Sequence, residues 1–187
     1  MLNMKRQHEM TYEDIIAFHG HSCPGLLLGY RMAKAAMARV AGDRSADEEI
    51  VAIVENDACG VDALQCVTGC TFGKGNLIFR DYGKHVYTIF NRANGRAVRV
   101  STSRKQDQKR QTLGDDSQAR EQFNRWLQEA PDEEIMEIRE IPVPEPDFAR
   151  IHQAVPCAAC GELVMETRVL IVNGKKLCIP CAETDRV

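Results

Sequence analysis

Residues 157–181 read CAACGELVMETRVLIVNGKKLCIPC, two C-x2-C pairs separated by seventeen residues. Two residues between cysteines let both thiolates reach one ion from a tight turn. Two such pairs complete a tetrahedral four-thiolate shell, so the spacing predicts that Cys157, Cys160, Cys178 and Cys181 hold a structural Zn2+. The other four of the eight cysteines, Cys23, Cys59, Cys66 and Cys70, fall in the first seventy residues. There the stretch FHGHSCPG sets His19, His21 and Cys23 within five positions, just ahead of an apolar run. These are either ligands on a loop or the polar side chains of a turn. In an extended segment the three would share one face. At a helix start, free amides and positive potential lower a thiol's pKa and favour anions.

A second set follows in ENDACGVDALQCVTGC. Cys59 stands just beyond a strand-like run, where a fold of this kind presents functional groups. If residues 60–67 are helical, Asp62 and Cys66 share a face with it. Cys66 and Cys70 equally suit a core, since free cysteine behaves as a small hydrophobe. His21 and Cys59, with Cys23 or His19, are the candidate ligands of a second metal. Mixed nitrogen and sulfur ligation suits zinc, and also nickel or iron. Cys59, Asp62 and Lys74 are the candidate catalytic residues, Asp62 as proton acceptor or ligand-orienting partner and Lys74 as a holder of anions. Fewer than four protein ligands would leave a position for a small substrate.

The elements that must position these groups are readable in outline. Thr11 and Asp14 form a capping-box pattern, predicting a helix over about residues 12–18. Pro24 suits the first turn of a second helix, which the apolar spacing carries to Val40. Ile50–Val54 reads as a buried strand, and a third helix follows over residues 60–67. Strands are expected over residues 76–81 and 84–91, with a hairpin at Asn94-Gly95 leading into residues 97–101. A helix over residues 115–129, capped by its acidic pair, precedes a last strand over 135–143 whose first half is ambiguous. Seven basic residues lie between Arg92 and Arg110 against one acid, Asp107. Such a run is by default a solvated loop, or else a collector of anionic cofactor or nucleic acid. Four prolines, at 142, 144, 146 and 156, mark a semi-rigid linker. The expected organisation is a core over 1–143, a proline-rich linker over 144–155 and a zinc finger over 156–187. The class is α+β, a mixed or antiparallel sheet with packed helices.

With 187 residues, 27% of them charged, and a formal net charge of −3, the chain has no global field towards nucleic acid or anionic membrane. No apolar run approaches the roughly 18 residues a bilayer span needs. No signal-peptide h-region is visible near the first residues, so the expected location is cytoplasmic, where four thiols at this spacing mean metal rather than disulfides. From Arg150 onward five basic residues stand against four acidic ones. That footprint favours a structural or protein-contact finger over nucleic-acid binding.

The blocks FHGHSCPGLLLGYRMA, DACGVDALQCVTGCTFGKGNL and DYGKHVYTIF, in that order, resemble the E-type component of formylmethanofuran dehydrogenase and its family of stand-alone relatives. The resemblance covers most of residues 10–145. It implies an α+β core that forms homodimers, a metal or reactive-cysteine site, and a treble-clef finger after the core. Signature positions carried over include His19, His21, Cys23, Cys59, Asp62, Gln65, Cys70 and Lys74. It also implies one-carbon chemistry, with the chain an oxidoreductase, or an accessory subunit of a larger enzyme, acting on a small substrate or cofactor. No ferredoxin-type C-x2-C-x2-C run accompanies it. The alternative is a regulatory or adaptor zinc-finger protein whose core senses a small ligand.

Overall fold

The computed structural model describes residues 10–114 and 116–184. The chain divides into two compact units, one ending at Phe148 and the other starting at Ala149. The fold of both is α+β.

In the first unit, helix α1 (Tyr12–His19) starts at the expected capping box: the Thr11 hydroxyl accepts from the Asp14 amide, and the Asp14 carboxylate accepts from the Thr11 amide. It ends one residue late, because Gly20 takes a left-handed conformation (φ 94°) that a side chain would strain. His19 is therefore the last helical residue, not part of an extended run sharing a face with His21 and Cys23. Helix α2 (Pro24–Val40) opens with Pro24 in its first turn behind the N-cap Cys23, as anticipated.

Strand β1 (Ile50–Val54) is followed by helix α3 (Gly60–Thr68), then β2 (Leu77–Phe79), β3 (Val86–Asn91) and β4 (Ala97–Thr102). Helix α4 (Arg104–Leu113), helix α5 (Ser117–Glu129), a single turn α6 (Asp132–Ile135) and strand β5 (Met136–Glu140) complete the set. The sheet runs β2-β1-β3-β4-β5, with only β1 and β2 parallel. Alternation along the strands sorts its two faces. Ile50, Ala52, Val54, Ile89, Val98 and Val100 turn towards the α2 side and join Met32, Ala36 and Val40 in the main core. Val51, Phe90 and Ala97 form a smaller cluster on the other face, with Ile141 and Val143 packed against it.

Three features depart from expectation. Half of the basic run is helix α4, because Ser103 caps it at the Gln106 amide and Gln106 itself is buried. Arg99, from the same run, forms a two-pronged ion pair with the buried Glu55. At α5, Asp116 alone is seen capping, at the Ala119 amide 2.7 Å away; the expected partner Asp115 lies outside the described residues. Part of the proline-rich segment is firmly held. The Arg92 guanidinium donates to Glu145 Oε1 at 2.9 Å, to the Pro146 carbonyl at 2.8 Å and to the Asp147 carbonyl at 3.1 Å. It also sits 3.7 Å from the Phe148 ring centroid.

The second unit is built as a knuckle and two hairpins. Strands β6 (Ala154–Pro156) and β7 (Leu163–Met165) flank the first cysteine pair. Strands β8 (Val169–Val172) and β9 (Lys175–Cys178) turn at Asn173-Gly174, and helix α7 (Ile179–Thr184) follows directly. Both central turn residues have positive φ, which the Asn-Gly pair predicts. The last residues, 185–187, lie outside the described range.

One close approach governs the helical layer. A Cβ on Gly29 of α2 would overlap the Gly60 backbone of α3, and a Cβ on Gly60 would overlap the Tyr87 hydroxyl and press on Gly29 Cα, 3.1 Å away. We expect Gly29→Ala to lower the stability of the first unit by about 1–3 kcal/mol in urea unfolding, as overpacking does. The free Cys70 gives a second expectation. Burial pushes its thiol up from 9.0 to about 11. The neutral thiol is thus favoured in the fold, so its stabilising contribution is intact below pH 9 and is lost as pH rises through 11. A denaturation midpoint that falls between those pH values in wild type, and falls less in Cys70→Ala, checks it.

Candidate metal centre

Four donors converge in the first unit. His19, His21, Cys23 and Cys59 each offer a ligand atom, and these atoms all lie within 4.8 Å of one another. Three come from helix ends, His19 from the C-terminus of α1, Cys23 from the N-cap of α2 and Cys59 from the N-cap of α3, and His21 comes from the turn between α1 and α2. Each end is shaped locally. Gly20 turns the chain so that the His19 and His21 rings lie 4.5 Å apart. Cys23 Sγ accepts from the Leu26 amide at 3.3 Å, which fixes its rotamer. Cys59 makes no capping bond, and its thiol turns instead to the neighbouring Cys23 thiol. The turn before it is held by Asn56, whose Oδ1 accepts from the Ala58 amide and whose Nδ2 donates to the Lys84 carbonyl.

His19 and Asp62 supply the most informative contact. Nδ1 of His19 lies 2.7 Å from Asp62 Oδ2, and Gln65 Nε2 donates to the other carboxylate oxygen at 3.3 Å. With Nδ1 engaged, the remaining ring nitrogen is Nε2, and it is buried with no hydrogen-bond partner among the described residues. A buried orphan acceptor is costly. A carboxylate on one imidazole nitrogen, with the other nitrogen free, is the arrangement of a metal-bound histidine. Donor types, spacing and the orphaned atom together fit a divalent cation of intermediate softness. Burial, followed by the adjacent Cys23 thiol, pushes the Cys59 thiol up from its ordinary value.

The other candidates lie elsewhere. Lys74 is not brought to this group: its ammonium donates to the Ser45 and Ala46 carbonyls, both at 3.3 Å, and so ties its own glycine loop to the segment before β1. Cys66 packs with Ile15, Leu26 and Ala63. Cys70 is fully buried, with its thiol 3.3 Å from the Ile50 carbonyl. Both are core thiols. Two residues that carried no motif border the centre instead. Arg120 and Asn124 of α5, with Glu121, line a cavity of about 320 Å³ whose other wall is His21, Ser22, Cys23 and Pro24.

In the second unit, Cys157, Cys160, Cys178 and Cys181 bring their sulfurs within 4.8 Å of one another. Amides of Cys160, Cys178 and Ala159 pull the Cys157 thiol down to about 6, while the Cys178 and Cys160 thiols push Cys181 up to about 12. So crowded a set of thiols holds its charge only around a cation.

The chain is thus a metal-binding α+β protein with a four-cysteine zinc finger. Residues 18–145 match the family described as FmdE, molybdenum formylmethanofuran dehydrogenase operon, and residues 150–185 match the prokaryotic DksA/TraR C4-type zinc finger. The protein belongs to the FmdE family. A probable S-adenosyl-L-methionine-binding protein of Archaeoglobus fulgidus is 34% identical over 192 aligned residues, covering 88% of this chain and 50% of that one. The chain therefore spans about half the length of that curated relative. The crystal structure of an FmdE-like protein of the tungsten formylmethanofuran dehydrogenase type, from Syntrophus aciditrophicus, superposes with a TM-score of 0.70 at 24% identity, covering 98% of this chain and 100% of that chain. That likeness extends the shared fold across both units. No helix among the described residues is long and apolar enough to cross a membrane.

Asp62→Asn tests the orienting bond. We expect core metal affinity to drop by about 10- to 100-fold, the usual cost of removing such a partner, with the finger's zinc unchanged in a competitive chelator titration.

Proposed function

We propose that the first unit is a metal-dependent enzyme module, or the accessory subunit of a larger one-carbon enzyme, and acts on a small substrate at the His/Cys centre. The observation that carries this reading is His19: one ring nitrogen held by Asp62, the other buried, without a hydrogen-bond partner among the described residues and grouped with two thiols. In this reading His19, Cys23 and Cys59 hold the ion, with zinc the best match to two thiolates and imidazole and nickel or iron the alternatives. His21 is the exposed member and lines the cavity, so it occupies the position that a ligand approaches. The bound cation would supply Lewis acidity towards an oxygen or sulfur of the substrate. Asp62 keeps the Nδ1 proton of His19 in place, so its part is to orient a ligand rather than to accept a proton from substrate. His21, as an exposed imidazole, suits proton transfer at the cavity mouth. Assembly as a homodimer or with partner subunits belongs to the same proposal. The S-adenosyl-L-methionine named for the archaeal relative is not transferred, since half of that protein lies outside the match.

A second reading, an adaptor or regulatory protein, draws on the finger. Leu163 and Met165, two apart on β7, are both exposed, as is Ile171 on β8. An apolar, weakly charged surface of this kind suits a protein contact better than a nucleic-acid backbone.

Metal analysis separates the two. We expect two ions per wild-type chain, one per chain in Cys59→Ala, and two in His21→Ala with the core ion more easily chelated. One ion per chain in wild type, unchanged by either substitution, would remove the core centre and leave the adaptor reading.

A further inference from the structure

The cavity beside the core centre has a polarity of its own. Its floor is the turn His21–Pro24, which carries two of the four donors, and its opposite wall is one face of α5. That face presents Arg120, Glu121 and Asn124, at helical spacing i, i+1 and i+4, while Phe123 and Leu127 turn into the core. The wall is rigidly mounted. Arg31 of α2 donates to the Leu127 carbonyl at 2.7 Å, to the Ala130 carbonyl at 2.6 Å and to Asp132 Oδ1 at 2.5 Å, fastening the C-terminal end of α5. Since Cys23 caps the start of α2, one helix fixes both the thiol and the wall facing it.

Three chemical demands follow from that wall. Arg120 offers a guanidinium, which forms no ion pair with an acid among the described residues, whereas Glu121 is matched by Arg125 at 3.7 Å. Asn124 Oδ1 is buried and has no hydrogen-bond partner among the described residues. Glu121 adds a carboxylate to the same wall, already matched by Arg125. A ligand that fills the cavity therefore meets a positive charge and, one helical turn on, an amide oxygen in want of a donor. The complement is a carboxylate with a hydroxyl or ammonium group on the neighbouring carbon. We infer that this cavity is the substrate subsite of the core centre and takes a small 2-hydroxy or 2-amino acid. Arg120 binds the carboxylate and Asn124 receives the hydroxyl or ammonium proton. The inference rests on the metal-centre reading and adds its specificity-determining residues. No covalent step is involved, only recognition. The volume, about 320 Å³, is at the small end for ligand sites and suits a small ligand.

The test uses the full chain with Co2+ in the core centre, whose visible absorption reports on the ion's surroundings without any assay of turnover. Glycolate and glycine are titrated in parallel with acetate, which lacks the donor, and ethylene glycol, which lacks the carboxylate. Metal content is measured on every sample. The expected result is a saturable spectral change with glycolate or glycine at lower concentration than with acetate or ethylene glycol. Which of the two binds more tightly tells hydroxy acid from amino acid. Arg120→Gln should weaken that binding by at least about tenfold, as loss of a charged hydrogen bond does, with Arg120→Lys partly restoring it. Asn124→Leu should bring glycolate or glycine down to the acetate level while leaving acetate unchanged. Equal binding of all four probes, no binding of glycolate or glycine, or full binding in Arg120→Gln overturns the subsite. If the wild-type chain takes up only the finger's ion, it is the metal-centre reading that has failed, a result the stoichiometry shows before any titration.

Discussion

Two glycines in contact hold the rest of the first unit in place. Gly29 and Gly60 allow the backbones of α2 and α3 to touch, with Tyr87 of the sheet closing the third side. Cys23 stands six residues before one of them and Cys59 immediately before the other, so the separation of the two thiols is inherited from the separation of the two helices. No side chain mediates this contact, which is why none can be substituted to adjust it. Glycine here is chosen for the space it leaves free, and the loss of helix propensity at Gly29 is a cost offset by the packing it permits.

The regular parts of this arrangement are legible in the sequence because local chemistry and tertiary packing agree in them. Pro24 and the apolar spacing up to Val40 mark α2 at both ends, and the β-branched run Ile50–Val54 is a strand on any count. Helix α4 is hidden for the opposite reason. RKQDQKRQTL has no apolar stripe, and its helicity depends on the Ser103 cap and on the burial of Gln106, neither of which leaves a periodic trace. The proline-rich segment hides a partnership of the same kind. Its composition describes a chain that cannot make regular structure, yet Arg92, more than fifty residues away, supplies the hydrogen bonds that its backbone lacks.

At the site, residue type is legible and partnership is not. Histidine and cysteine at short spacing announce ligand chemistry, and the four donors do meet. That the His19 ring is the one held in a set orientation depends on Asp62, forty-three positions further on. A lysine among glycines looks exposed and ready to hold an anion, whereas the loop around Lys74 folds its ammonium back onto two carbonyls. Arg120 and Asn124 sit in an otherwise ordinary amphipathic helix, where nothing in the pattern separates a cavity wall from a solvated face.

Drawing the donors from the ends of three different helices has a consequence for the life of the protein in a cell. An unfolded chain keeps only the His19-to-Cys23 stretch together; Cys59 rejoins it when α2 and α3 dock. An ion held by His19, Cys23 and Cys59 would bind the folded form almost exclusively, and mass action would then add its binding free energy to that of folding. The supply of metal would thereby set how much of the chain escapes proteolysis, making the amount of protein, as well as its chemistry, a readout of the metal pool.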